Sequence, residues 1–229
     1  MTLAGVDGCR GGGFVVTDEG IASGVVAATF GDVLALGAGL IAVDIPVGLT
    51  EAGPRACDVA ARRALSPRRG SSVFPAPVRP SLAGATHAEA SALHRAADGR
   101  GMSVQAFGIV PKIAEVDRIL RARPDAEARV VEVHPEVSFA AMAGGAALVR
   151  SKKTPEGRAE RLALLRSVFG DAPERFVAER PKRLVAADDI LDAFAALWTA
   201  RRIAAGTAHA LPAGEPPRDA HGLAMAIHV

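Results

Sequence analysis

Apolar residues along this chain recur in two spacings. Short apolar runs at 3–7 (LAGVD), 13–17 (GFVVT) and 40–46 (LIAVDIP) predict strands, the last stopped by Pro46. The glycine-rich GCRGGG reads as the loop between the first two, and 21–29 is a further candidate strand. VVEVH at 130–134 is a β-branched run and predicts a fifth. Segments 31–38 and 55–65 read as helices, and so does 111–122, where Ile113, Val116 and Leu120 recur on one face. Thr86 with Glu89 forms a capping box that opens a helix through about Ala97. Thr154 caps another, with Pro155 at its first position and an end near Gly170. From Asp188 to Ile203, the residues Ile190, Leu191, Phe194, Leu197 and Trp198 leave few polar positions, which predicts a largely buried helix stopped near Gly206. The stretch SPRRGSSVFPAPVRP at 66–80 holds too much Pro, Gly and Ser for regular structure and is expected to be an exposed, mobile loop.

Composition narrows the picture. With 229 residues and 49% hydrophobic content, the chain can bury one substantial core as a single domain. A formal charge of +2 is too small to make the whole surface attract nucleic acid, so any basic partner surface must be local. Cys9 and Cys57 are too few for a disulfide scaffold or a zinc site, and they point to a reducing cytoplasm. The start, MTLAGVDGCRGG, lacks the basic and apolar regions of a leader, and no run of about 18 apolar residues occurs, so no membrane partner is expected.

The acids carry the candidate chemistry. Asp7 ends the first strand just before the glycine loop, where it either closes an Asx turn or offers its carboxylate to a ligand. Asp44 interrupts LIAV and IPVGL, and a buried carboxylate there is costly unless it is paired, binds a metal or ends the strand in a turn. In DDILD, Asp189 and Asp192 lie three residues apart on a helix, with Asp188 on nearly the same face. Asp188 or Asp189 can serve as an N-cap, but Asp192 lies too far along, and a cation would relieve the crowding. Glu132 and His134 share one face of the fifth strand, either as a satisfied pair or as part of the same site. Acids from two strands and a helix suit phosphodiester hydrolysis with two Mg²⁺ or Mn²⁺ ions.

Six arginines (Arg55, Arg62, Arg63, Arg68, Arg69 and Arg79) against Asp58 make 55–79 locally basic. This segment is either a solvated surface or, with Ser71, Ser72 and Phe74, one that tracks a nucleic-acid strand. Lys112, Lys152 and Lys153 are further candidates for phosphate contact.

The motifs VDGCRGG, IAVDIPVGL, GPRACD, RRGSSVFPAP, PKIAEVD, EVHPEVSF, SKKT, GRAERLALL and DDILDAFAALWTA resemble the domain-of-unknown-function family 429, a family of predicted ribonuclease H-like nucleases. The resemblance spans nearly the whole chain. It implies an α/β fold with a ribonuclease H-like mixed sheet, three antiparallel strands followed by parallel additions, flanked by helices. Asp7, Asp44, Asp189 and Asp192 fall where RuvC-type resolvases carry their acids. The chain departs from the family at Gly13, where members usually carry an aromatic. The implied activity is a metal-dependent nuclease in which Asp7, Asp44 and Asp192 bind Mg²⁺ or Mn²⁺, Asp189 and Glu132 complete the catalytic set, and Arg68, Arg69, Lys112, Lys152 and His134 contact a nucleic-acid substrate. The alternatives are a non-catalytic metal, nucleotide or protein-binding module of this fold and an actin-like nucleotide phosphohydrolase. The second would resemble two such units in tandem, and this chain holds one such hairpin.

Overall fold

A computed structural model describes residues 1–19 and 24–229. It is a mixed α/β fold built on one seven-stranded sheet with helices on both faces. The strands are β1 (Leu3–Cys9), β2 (Gly12–Thr17), β3 (Val25–Ala27), β4 (Leu40–Val43), β5 (Val130–Val133), β6 (Ala210–Leu211) and β7 (Ile227–His228). They lie in the order β3-β2-β1-β4-β5-β7-β6. The first three strands are antiparallel, β4, β5 and β7 add in parallel beyond β1, and β6 returns antiparallel at the edge. The candidate strand at 21–29 is observed from Val25, and its start falls outside the described residues.

Nine helices are seen among the described residues: α1 (Phe30–Ala35), α2 (Ala56–Leu65), α3 (His87–Asp98), α4 (Val104–Ala122), α5 (Pro124–Glu127), α6 (Pro135–Met142), α7 (Pro155–Phe169), α8 (Ala172–Glu179) and α9 (Ala187–Ala204). The Thr86–Glu89 box opens α3, as the sequence pattern indicates, and Gly99 in the left-handed region closes it just beyond the expected end near Ala97. Thr154 caps α7 by accepting from Gly157 N. Where the pattern places a helix from residue 111, α4 instead begins at Val104 under a Ser103 cap and runs through Pro111. Its first turns expose Val104 and Ile109, so no apolar face announces them.

One face of the sheet packs against α9 and the helices around it, with Phe139, Phe169, Phe176 and Phe194 at the centre. The other face packs against α1 and α4 through Phe30, Val33, Val116 and Leu120. Glycine decides how close α9 comes to β1. A Cβ on Gly5 would lie 2.1 Å from the Ala193 carbonyl oxygen and 2.2 Å from the Leu197 amide nitrogen. Only a residue without a side chain lets the helix backbone rest on the strand there.

Segment 66–80 is irregular, with a single 3-10 turn at Gly70–Ser72 before Arg79 begins another. Pro67, Arg68 and Phe74 are exposed, but Gly70, Val73, Pro77 and Val78 are buried, which corrects the expectation of a loop exposed along its length. Both cysteines are free and buried. No described helix is long and apolar enough to cross a membrane.

Candidate metal centre

The parallel register pairs Val6 with Val43, so the next residues, Asp7 and Asp44, stand side by side at the ends of neighbouring strands. The Asp44 amide donates to the Val6 carbonyl at 3.0 Å and extends the ladder by one bond. Asp7 points to the same face as Gly5, where α9 crosses, and α9 brings Asp192 over it. One carboxylate oxygen from each of Asp7, Asp44 and Asp192 lies within 4.8 Å of the others. Asp7 and Asp192 are buried and Asp44 is half-buried.

Such packing has an electrostatic cost. Like unit charges 4 Å apart repel by about 1 kcal/mol in bulk water and about 4 kcal/mol at an effective dielectric of 20. Burial, followed by repulsion from Asp192 and Asp44, therefore lifts the Asp7 carboxyl well above the usual range. Burial also pushes Asp192 up to about 6, against the pull of Lys152 and with help from Asp44. Lys152 Nζ donates to Asp192 Oδ2, and burial of that ammonium is outweighed by Asp192 and Asp7, so it stays firmly protonated. The other oxygen, Asp192 Oδ1, is buried with no hydrogen-bond partner.

The remaining expected site residues are placed differently. Asp189 turns back to accept from the Ala186 amide at 2.8 Å and so caps α9. Asp188 pairs with Lys153 at 2.5 Å. The crowding in DDILD is thus relieved by a cap and two lysines. Glu132 lies on β5 with both oxygens bound to Arg55 at 2.7 Å, and it also accepts from the Val47 amide at 2.8 Å. It therefore fixes the turn that carries Asp44 but does not join the three carboxylates. The Lys112 ammonium donates to the carbonyls of Cys9 and Gly12, at 2.7 and 2.8 Å, tying down the β1–β2 hairpin. His134 Nε2 lies 3.3 Å from the Ser72 carbonyl and its Nδ1 is buried without a partner. Arg69 Nε lies 3.6 Å from Glu136, while Arg68 is exposed.

One cleft of about 560 Å³ joins the three carboxylates with Glu132, His134, Lys112 and Lys152, and Asp188, Asp189 and Arg68 lie outside its lining. Its lining includes the three carboxylates, the apolar side chains of Val33, Ile109 and Val116, and the cations Arg69, Lys152 and Lys153. Gly13 lines it as well, and at the place of its missing side chain Val6 and Val33 already lie within contact distance. The volume falls in the range of small-molecule sites.

A family model described as protein of unknown function (DUF429) matches residues 5–217. The chain belongs to this family. The match takes in all three carboxylates, Lys152 and the whole basic segment. No curated protein and no solved structure matches the chain.

The donor set fits a hard divalent cation. All three groups are carboxylates, the ligand type that Mg²⁺ and Mn²⁺ prefer, and Asp192 Oδ1 is a buried acceptor still without a donor. Sequence pattern misses two residues that make the cluster possible. Gly5 could have been flagged as a glycine inside a strand, while the only local signal at Arg55 is Asp58 three residues on, and its partner Glu132 is 77 residues away.

Proposed function

We propose that this DUF429 protein is a divalent-metal-dependent nuclease of ribonuclease H-like architecture that hydrolyses phosphodiester bonds with two Mg²⁺ or Mn²⁺ ions. The observation that carries this reading is the convergence of Asp7, Asp44 and Asp192 within 4.8 Å, with one buried oxygen unpartnered. The sheet order β3-β2-β1-β4-β5, with three antiparallel strands and then parallel additions, supports the ribonuclease H-like assignment. When bound, the ions supply positive charge to the attacking and leaving oxygens of an in-line displacement.

The chain's own residues set the rest. Asp7 on β1, Asp44 just past the end of β4 and Asp192 on α9 would hold the ions, and the Glu132–Val47 bond steadies the turn after Asp44. Val33, Ile109 and Val116 give the cleft apolar lining, while Arg69, Lys152 and Lys153 offer cations to the backbone of a nucleic-acid partner. Asp189 acts at a distance, through the helix end that it caps.

A non-catalytic metal or nucleotide-binding module is the second reading, and the ammonium already seated on Asp192 is the observation that favours it. Phosphodiesterase assays with single-stranded, duplex and branched substrates in Mn²⁺ separate the two. The nuclease reading expects Mn²⁺-dependent cleavage that falls by orders of magnitude in Asp7→Asn. Stabilisation by Mn²⁺ with no cleavage of any substrate would leave the binding module.

A further inference from the structure

Two lysines adjacent in sequence meet two acids of α9 in different ways. Lys153 is exposed and pairs with Asp188 on the surface. Lys152 reaches inward, and its ammonium bonds Asp192, the most buried member of the carboxylate cluster. Three carboxylates face this one ammonium, so the cluster is only partly neutralised. The lysine blocks only one oxygen of Asp192 and leaves Oδ1 without a donor. Its side chain remains 30% exposed and lines the cleft beside Ser151 and Lys153, so an open path leads outward. A four-carbon stem with free rotation can follow that path without moving the backbone.

We propose that Lys152 is the resident counter-ion of the carboxylate cluster, that a divalent cation displaces it, and that the freed ammonium turns into the cleft to contact the substrate phosphate. The inference rests on the metal site proposed above and deepens it by giving Lys152 a positioning role. Two cations do not share the Asp192 carboxylate without mutual repulsion, and an ammonium released beside a loaded site faces the place where an anionic substrate must lie. Metal loading and phosphate binding are then coupled through one side chain, and the coupling is reciprocal.

Calorimetric titration of Mn²⁺ into wild type, Lys152→Met and Lys153→Met tests the first half. Removing the competing charge should tighten Mn²⁺ binding by about tenfold or more in Lys152→Met, and Lys153→Met should stay within about threefold of wild type. Lys152→Gln keeps a hydrogen-bond donor for Asp192 without the charge, and it should show the same direction if Lys152→Met folds poorly. The second half is read with a phosphorothioate-linked dinucleotide: in Lys152→Met its affinity should fall severalfold with Ca²⁺ present and stay unchanged with chelator. Equal or weaker Mn²⁺ binding in both Lys152 variants overturns the displacement. A dinucleotide affinity that drops equally with and without metal overturns the release. If Mn²⁺ binding tightens but no phosphodiester is ever cleaved, the nuclease reading fails while Lys152 keeps its role as counter-ion. Metal-dependent cleavage without any tightening removes the lysine proposal alone.

Discussion

Two groups of buried charge lie in the same cleft and have been treated oppositely by the fold. Around Arg55, one guanidinium satisfies Glu132 through two bonds and Asp58 through two more, and it also donates to the Val47 and Gly48 carbonyls. Arg161 does the same for Glu136, with both carboxylate oxygens bound at 2.6 and 2.7 Å. Around Asp192, three carboxylates share a single ammonium and one oxygen has no donor at all. Burying a charge is tolerable when bonds replace its water, so the first arrangement is a means of holding the turn after Asp44 in place. The second stores repulsion that a divalent cation would release. Within one cleft, the hydrogen bonds that each acid receives therefore separate acids that brace the fold from acids that could hold a metal ion.

The largest expected effect comes from breaking the satisfied group. Arg55→Met leaves Glu132 and Asp58 buried without their shared cation, a change that typically costs about 3–5 kcal/mol. Urea denaturation should show a loss of that order. Because Glu132 also holds Val47, the Asp44 turn should loosen and Mn²⁺ stabilisation should weaken with it. A loss below about 1 kcal/mol would mean that the arginine cluster does not support the turn, however many bonds it makes.

Asp7, Asp44 and Asp192 are legible in the sequence because each interrupts an apolar pattern that burial would otherwise continue. Asp189 is set apart by its place at the helix start, where it caps Ala186, but Glu132 shares the residue type and patterning of the three, and nothing local distinguishes an acid bound to Arg55 from an acid held open. Only long-range pairing decides that. The early strands and the capped helices α3 and α7 are also legible, since caps and alternation are local signals. β6 and β7 have two residues each and show no period, while α6 is apolar nearly all round and gives no amphipathic stripe. The arginines of 55–79 read as one basic patch, but Arg55 and Arg79 are consumed internally, the latter by Asp117 and Asp219.

A medium-sized effect sharpens the comparison from the unsatisfied side. With a folded-state value of about 6 against an ordinary 3.8, Asp192 is harder to ionise when folded. Its contribution to stability is therefore fully present below about pH 4 and is lost as pH rises through 6. Asp7, raised for the same reasons, acts in the same direction. Metal-free wild type should gain stability between pH 7.5 and pH 5, and Asp192→Asn should gain less. At pH 7.5 the variant should be as stable as wild type or more so, with its Mn²⁺ response reduced. If it is instead destabilised by about 1–3 kcal/mol with the metal response intact, Asp192 and Lys152 form a structural ion pair and the contrast with Arg55 disappears.

The smallest effect concerns the arginines that the fold has not consumed. Arg63 and Arg68 remain exposed in the basic segment, whereas Arg62 donates to the Val73 carbonyl and Arg69 faces Glu136. Charge reversal at Arg69 would set two carboxylates against each other, so Arg68→Glu is the cleaner probe of nucleic-acid binding. Exposed substitutions usually change stability by no more than about 0.5 kcal/mol, so a change in binding would not be a folding artefact. Removing one phosphate-binding cation lowers the slope of log affinity against log salt by about 0.7 for single strands and about 0.9 for duplex. If Arg68 binds phosphate, a salt titration with Arg68→Glu should show that decrement and a severalfold weaker affinity at low salt. An unchanged slope would return this arginine to solvent and leave phosphate contact to the cleft-lining Arg69, Lys152 and Lys153, all of which already answer an acid of the fold.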